Sequence, residues 1–412
     1  MKPKINQGKY TQSTFDCDFY KINMQWAYMM KFPDSRCCFE YKIRSEVQWP
    51  KGFGAALQYL ISQYDQLRAP EGMEEYLLKN APHLPLAAID YLCNFRFNPA
   101  EVQIYHDEQQ NELRIKACGP TVSAMRWEIP ILSTVSELYH EMTGNGIENI
   151  NFEEVGTIAQ RKGVHLQLSN IKHVDFGTRR RHSFKTHDAV VYALSRTVGN
   201  NFIGTSNMHL ALKYGLKMIG TTGHEWHQFH GGVYGYKMAN YRAMENWQDV
   251  YRGRMGIVLP DTYTTDSFLK CFDSDFARRY DGARQDSGDW KEWTDKFVNR
   301  YNELGIDPTT KQFIYSNGIN SLELCKEIQS YRKSLGLPFS LGIGTWFTCD
   351  VPGVTALKQV MKMTMMSIHR DGNDWEHVIK IPDEVGKEIG HPDAIHLGKL
   401  TLGIKNEEPA AV

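Results

Sequence analysis

A chain of 412 residues exceeds what one hydrophobic core organises, since cores stop growing at roughly 250–300 residues, and two domains are expected. With 42% hydrophobic and 23% charged residues and a formal charge of −1, the composition is that of an ordinary soluble protein, with no net charge to hold it on nucleic acid or an anionic membrane. No run approaches the about 20 apolar residues of a membrane span, the N-terminal MKPKINQGKYTQSTF lacks a signal peptide's apolar core, and eight cysteines without a CxxC pair read as scattered buried thiols, so a cytoplasmic protein is expected.

Behind Asp16 or Asp18 as N-cap, Phe19, Ile22, Trp26, Met29 and Met30 recur at helical spacing, which predicts a helix with one apolar face. Residues 38–43 read as a strand, 54–64 as a helix and 82–94 as a shorter helical run. In VQIYHDEQQNELRIKA, Val102 and Ile104 answer Leu113 and Ile115 across a polar turn, the alternation of an antiparallel hairpin. Residues 1–145 are therefore expected to form a mixed α+β N-terminal domain.

After Trp127 the character changes. A helix through WEIPILSTVSELYHEMTG stops at Gly144 and Gly146, and beyond it strand, glycine-bearing turn and helix alternate. IKHVDFG leads to a helix over 187–198, NFIGTSN to one over 208–214, LKMIGTTG to His224 and MGIVLPDTY to 265–276. ARQDSGD opens a helix capped by Asp289, KQFIYSNG leads to another with Asn320 and Glu323 as a capping pair, and FSLGIGT ends in a further glycine turn. Such repetition predicts an α/β fold whose parallel sheet closes toward a βα barrel over 146–370, with an open doubly wound sheet as the alternative. The tail 371–412, with its strand-like HVIKI, is expected to pack back on the N-terminal domain and complete it before the polar NEEPAAV frays.

In a βα barrel the site forms where the strands end. That rule collects Arg179 to Arg181, Thr205 to Asn207, Thr221, His224, Asp261, Asp266, Arg284, Asp286, Asp289, Asn317, Gly318, Gly342, Gly344 and Thr345. Arginine offers a planar, always charged fork for phosphate or carboxylate, and the SNG and GIGT turns let backbone N–H groups approach a phosphate. A carboxylate of DSGD suits Mg²⁺ or a sugar hydroxyl, and Asp286 is freer for this than Asp289. Together these describe a site for a polyanionic sugar phosphate with magnesium. His224, in GTTGHEWHQFH, follows a short apolar run and reads as accessible, able to serve as acid, base, metal ligand or phosphate acceptor. His227 and His230 invite a zinc reading, but Gln228 stands where HExxH needs its second histidine. His173 and His209 read as structural or exposed. An arginine run is most often a solvated face and a lone GIGT only a strand end; the position after IKHVDFG favours a ligand role for the arginines.

Taken in order, CDFYK, DFGTRR, GTSN, IGTTGHEW, LPDTYTTD, RQDSGD, SNG and GIGT resemble the motifs of nicotinate phosphoribosyltransferase, the bacterial ATP-using form, over nearly the whole chain. The resemblance implies an incomplete parallel βα barrel of the type II phosphoribosyltransferase kind on an N-terminal α/β domain, in a head-to-tail homodimer with shared active sites. It implies formation of nicotinate mononucleotide and pyrophosphate from nicotinate and phosphoribosyl pyrophosphate, with ATP hydrolysis through a phosphohistidine, in NAD salvage. On this reading ATP and Mg²⁺ are the cofactors, His224 accepts the phosphoryl group and Asp261 orients its ring. Tyr20 from the neighbouring subunit, Thr221 and Arg284 would bind nicotinate. Arg179, Arg180, Asp286, Asn317, Gly318, Gly344 and Thr345 would bind phosphoribosyl pyrophosphate, with Asp286 also the Mg²⁺ ligand. Trp346 and Phe347 after GIGT, and KIP at Lys380 to Pro382, depart from the usual pattern. The competing readings are a nicotinamide- or quinolinate-specific phosphoribosyltransferase, a non-catalytic nucleotide sensor, and a barrel lyase acting on another sugar phosphate.

Overall fold

Alternating apolar residues in the first third of the chain form β1 (Arg36–Ile43), β2 (Val102–Asp107) and β3 (Glu112–Pro120) in a computed structural model that describes residues 8–404. Seven short strands follow: β4 (His173–Asp175), β5 (Phe202–Thr205), β6 (Lys217–Met218), β7 (Ile257–Val258), β8 (Gly282–Gln285), β9 (Gln312–Tyr315) and β10 (Phe339–Ile343). The last two are β11 (Gln359–Ser367) and β12 (Glu376–His377).

The seven short strands make one parallel sheet in the order β6-β5-β4-β10-β9-β8-β7. No ladder joins β6 to β7 among the described residues, so the barrel stays open on that side. The chain between these two strands forms the helices His224–Tyr234 and Tyr236–Tyr251, whose buried faces carry Trp226, Phe229, Met244 and Trp247. This is the incomplete βα barrel, and the doubly wound alternative is set aside.

The other sheet is antiparallel, in the order β12-β11-β1-β3-β2. Its hairpin pairs Ile104 with Ile115, but Val102 with Ala117. The strand β11 runs beside β1 from Arg36↔Ser367 to Ile43↔Gln359, so residues 359–367 belong to the first sheet although they precede the boundary expected at 370. The tail adds β12 at the edge and then turns to the barrel: Ile381 N–H donates to Thr262 O and Thr264 N–H to Ile381 O. Ile379 and Ile381 pack with Ala239 and Tyr263, so the tail completes both units rather than the first alone. Its polar end, expected to fray, lies outside the described residues.

Several local expectations are corrected. Asp18 stands at the N-cap position of the helix Phe19–Lys31 but makes no capping bond, and Met30 is 55% exposed instead of lying on the apolar face. Ser321, not Asn320, caps the helix Leu322–Ser334, while Asp289 caps Trp290–Glu303 as expected. Residues 265–276 form two helices, Thr265–Cys271 and Ser274–Arg279, because Asp273 caps a new start. Cys38 and Cys118 are bonded, being direct partners across β1 and β3 with Cα atoms 4.2 Å apart; the other six remain thiols, and Cys93 and Cys271 are only partly buried. No helix among the described residues is long and apolar enough to cross a membrane.

Candidate active site

The seven parallel strands end around one cavity of about 370 Å³, a volume within the range of small-molecule sites. Tyr20, Thr221, His224, Arg284 and Asp286 line it together with Arg179, Arg180, Gly318, Gly344 and Thr345. Asn317 does not: its side-chain amide donates toward Gly288 O at 3.4 Å, and Ser316 and Asn320 line the wall in its place.

His224 is the first residue of the helix His224–Tyr234, held there by Gly223 as N-cap. It is 6% exposed and so less accessible than expected. Its Nε2 lies 2.9 Å from Asp261 Oδ1 and 2.9 Å from Lys380 Nζ, while Lys380 Nζ is also 3.0 Å from Asp261 Oδ2. Ser287 Oγ donates to the same Asp261 oxygen at 2.8 Å. Burial opposes ionisation of Asp261, yet His224 and Lys380 hold its carboxyl well below the usual range. A carboxylate there accepts from Nε2–H, and the ammonium then serves the carboxylate's second oxygen. This places the ring's lone pair on Nδ1, which makes no hydrogen bond to the described residues. Burial, reinforced by Lys380 and opposed by Asp261, lowers the imidazole to about 4. At neutral pH the ring is an uncharged nucleophile with one free nitrogen.

Tyr20 lines the cavity of its own chain, where the resemblance implies a neighbouring subunit's Tyr20. Phe19 N–H donates to Ser206 O at 2.8 Å, Ser206 Oγ donates to Asp18 at 2.8 Å, and Asp16 grips Arg181 through both oxygens at 2.7 and 2.8 Å. These bonds lay the N-terminal segment over β5, which explains why neither aspartate is spent on a helix cap. The Tyr20 ring comes so close to Gly223 that a Cβ there would sit 3.0 Å from it, and its hydroxyl donates to Glu128 at 3.3 Å. Thr221 faces the cavity with its hydroxyl donated to Ile257 O at 3.1 Å. Arg284, partly exposed at the end of β8, has Asp286 as a loose partner at 4.0 Å and so keeps most of its donors free.

The anion-receiving end is formed by the turn after β4 and the loop after β10. Arg179 pairs loosely with Glu128 at 3.6 Å, and Arg180 donates Nε–H to Gln359 O at 2.9 Å; both keep donors toward the cavity. Arg181 does not share this role, being fully buried against Asp16, whose carboxyl it pulls down to about 2 against the effect of burial. Asp286 accepts from Ser316 through Oδ1 at 2.9 Å, leaving Oδ2 with partners no nearer than His224 at 3.5 Å. His227 and His230 are not ligands in waiting: the first bonds Asn240 at 2.9 Å, the second Trp226 O at 2.7 Å and Asn246 at 2.9 Å. His173 and His209 are structural, the latter bonded to Ser13 at 2.9 Å.

Five charged residues carry no signal of this site in the sequence: Lys362, Lys380, Glu128, Glu225 and Lys21. Lys362 on β11 lines the cavity, and burial lowers its ammonium to about 8. Lys380 stands under His224. Glu128 and Glu225 share the fully buried Lys21 at 2.6 and 2.5 Å, which keeps a carboxylate pair beside the cavity from repelling itself apart. Lys380 was visible only as the start of a departing KIP; the others had no local signal, because their positions depend on strand pairing and tail return.

An open βα barrel with a cationic cleft at its strand ends and a neutral, carboxylate-oriented histidine defines a βα-barrel enzyme built to receive phosphorylated substrates. The comparisons refine this class. Residues 171–405 match the nicotinate phosphoribosyltransferase (NAPRTase) family and residues 15–136 match its N-terminal domain, and the chain belongs to that family. It is 38% identical over 392 residues to a nicotinate phosphoribosyltransferase of Chromohalobacter salexigens, covering 95% of this chain and 98% of that one. One from Desulforapulum autotrophicum is 36% identical, covering 93% and 97%. The crystal structure of nicotinate phosphoribosyltransferase from Porphyromonas gingivalis superposes with a TM-score of 0.91 at 38% identity, covering 95% of this chain and all of that one.

Proposed function

We propose that the protein joins nicotinate to phosphoribosyl pyrophosphate, releasing pyrophosphate and nicotinate mononucleotide, and couples this to ATP hydrolysis through phosphorylated His224, as a step of NAD salvage in the cytoplasm. The single observation that supports it most is that His224 and Arg284 open on the same cavity, both within 4.0 Å of Asp286 Oδ2. Each half of the chemistry has its own end of the site. Tyr20 offers a ring face and Arg284 a fork for the pyridine carboxylate; a guanidinium favours that anion over a neutral amide, which separates this reading from a nicotinamide enzyme. The backbone after β9 and β10, with Arg179, Arg180 and Lys362, receives the sugar phosphate and the leaving pyrophosphate.

Displacing pyrophosphate from the anomeric carbon builds oxocarbenium character, and the pyridine nitrogen is already nucleophilic, so positioning and charge neutralisation do most of the work. No general base is required. In the coupling step His224 Nδ1 attacks the γ-phosphorus of ATP: the N–P bond forms, the bond to the β-phosphate oxygen breaks and ADP leaves. Nε2–H stays hydrogen-bonded to Asp261, which stabilises the charge the ring acquires. Water later cleaves the N–P bond and releases phosphate. The phosphorylated ring adds negative charge beside Lys362 and Arg284, and thereby changes the relative affinity of the site for substrates and products.

The donor set fits magnesium at one place. Asp261 is already taken by His224, Lys380 and Ser287, whereas Asp286 Oδ2 is free enough to hold a cation shared with substrate phosphates, the usual arrangement for Mg²⁺. When bound there, the ion supplies neutralisation of the pyrophosphate charge. A homodimer, as the family resemblance implies, would set its second copy at the cavity's mouth and need not supply Tyr20.

Arg284→Gln tests the substrate end. The KM for nicotinate is expected to rise by roughly a hundredfold, the worth of a charge-assisted pair, while the KM for phosphoribosyl pyrophosphate changes by a few-fold at most. An unchanged nicotinate KM in steady-state assays would remove Arg284 from the base pocket.

A further inference from the structure

Trp346 and Phe347 follow the glycine loop where bulk beside a phosphate is unexpected, and the structure shows where that bulk goes. Trp346 lines a small groove on the outside of the barrel with Arg161 and His165, and does not line the substrate cavity. Its indole stacks on Phe347 with centroids 5.8 Å apart, and Phe347 is buried against His173.

Holding it there is Lys162, on the helix Phe152–Leu168. The ammonium donates to the main-chain carbonyl of Trp346 and to the carboxylate of Asp350, and lies 4.8 Å from the centre of the Trp346 ring. The lysine side chain is only 12% exposed, whereas Asp350 is 48% exposed. In the one-turn helix Thr345–Thr348 the Thr345 carbonyl accepts from Cys349 N–H, whereas the Trp346 carbonyl takes no backbone donor among the described residues and is held by the lysine. On the inner side the same turn is tied to the arginine turn: Thr348 Oγ1 donates to Gly177 O at 2.9 Å and His182 N–H to Thr348 O at 2.9 Å. Gly344 and Thr345, at the start of this turn, face the cavity. The loop and the arginines Arg179 and Arg180 are thus one unit, clamped from behind.

We infer that Lys162 is a positioning residue for phosphoribosyl pyrophosphate: from outside the cavity, through Trp346, it sets the place of the Gly344–Thr345 backbone and so the affinity for the sugar phosphate. The inference rests on the function proposed above and deepens it. Lys162 touches no substrate. Its removal is expected to act on one substrate's binding and spare the other's, since nothing it holds lies at the Tyr20 and Arg284 end.

The experiment is steady-state kinetics of the full-length protein carrying Lys162→Met or Lys162→Arg, each substrate varied in turn. For Lys162→Met the KM for phosphoribosyl pyrophosphate is expected to rise by roughly tenfold to a hundredfold, the cost of misplacing a binding group by a fraction of an ångström to one ångström. The KM for nicotinate and kcat should stay within about twofold, and Lys162→Arg, which can donate to both the carbonyl and Asp350, should restore most of the loss. An unchanged phosphoribosyl pyrophosphate KM overturns the inference, and so does a uniform loss of kcat, both KM values and melting midpoint that arginine does not rescue. If the methionine variant does not accumulate as folded protein, Asp350→Asn decides instead, and a phosphoribosyl pyrophosphate KM unmoved by it counts against the clamp. A wild-type protein that makes no mononucleotide speaks against the proposed function; direct calorimetric titration of wild type and variant with phosphoribosyl pyrophosphate then judges the clamp by the same ratio.

Discussion

His224→Ala is expected to reduce acid-labile labelling from γ-labelled ATP to background and to abolish the stimulation of turnover by ATP, leaving a weak ATP-independent formation of mononucleotide. The first effect follows from geometry. Of the ring's two nitrogens, Nε2–H donates to Asp261, and Nδ1 carries the lone pair of a ring that lines the cavity. Burial keeps that lone pair unprotonated at neutral pH, since the imidazole is lowered to about 4. The second effect follows from what the substitution leaves behind. Arg179, Arg284, Lys362 and the glycine turns are untouched, so the transfer chemistry keeps most of its electrostatic support. Turnover at saturating ATP is expected to fall by roughly a hundredfold or more, the usual cost of losing an activated nucleophile from a coupled step. Labelling of the alanine variant equal to wild type would remove His224 from the phosphoryl step.

The second large effect is expected at Lys380, which touches the histidine without touching substrate. Lys380→Met removes a cation 2.9 Å from Nε2 and 3.0 Å from Asp261 and leaves the carboxylate buried with less compensation. The sign is set by the charges around His224. Lys380 helps burial to lower the imidazole and Asp261 opposes it, so without the lysine the folded pKa rises from about 4 toward neutrality. Below the new pKa the ring binds a proton at Nδ1 and cannot attack phosphorus. Phosphoenzyme formation should therefore fall by roughly tenfold to a hundredfold near pH 6, with the acid limb of its pH profile moved upward and much of the rate regained above pH 8. Lys380→Arg, which keeps the charge, should leave the limb near its original place. Rates reduced equally at every pH would mean that the lysine only supports the fold.

The parts of this site that could be read from the chain are those where local chemistry and local geometry coincide. Glycine, threonine and aspartate gather where each barrel strand ends, and the cavity is indeed lined by Thr221, Arg284, Asp286, Gly318, Gly344 and Thr345. Asn317, before Gly318 at φ +68° in the SNG turn, has its side chain directed to Gly288 O rather than lining the cavity, a side-chain choice that the motif does not encode. What needed long-range pairing was not legible. Lys362 lies on a strand that joins β1 across more than three hundred residues of chain, and Lys380 arrives on a tail that crosses between the two sheets. Cys38 and Cys118 meet only once the β1–β3 register is known. The helix Phe152–Leu168 went unread for another reason. Its buried stripe is Val155, Ala159, Gly163 and Leu166, and small residues at helical spacing give almost no hydrophobic signal. Tyr20 was assigned to the pocket by resemblance, but its path there, along Asp16, Asp18 and Ser206 of its own chain, depends on buried polar contacts that no periodicity reports.

The most direct measurement is a side-by-side assay of the purified protein with nicotinate, nicotinamide and quinolinate, each supplied with phosphoribosyl pyrophosphate, Mg²⁺ and ATP, following mononucleotide, pyrophosphate and ADP. The account predicts nicotinate mononucleotide with one pyrophosphate per turnover and concurrent ADP, and kcat/KM for the amide and the diacid lower by roughly a hundredfold or more. A preference for nicotinamide or quinolinate, or no mononucleotide from nicotinate, would contradict it.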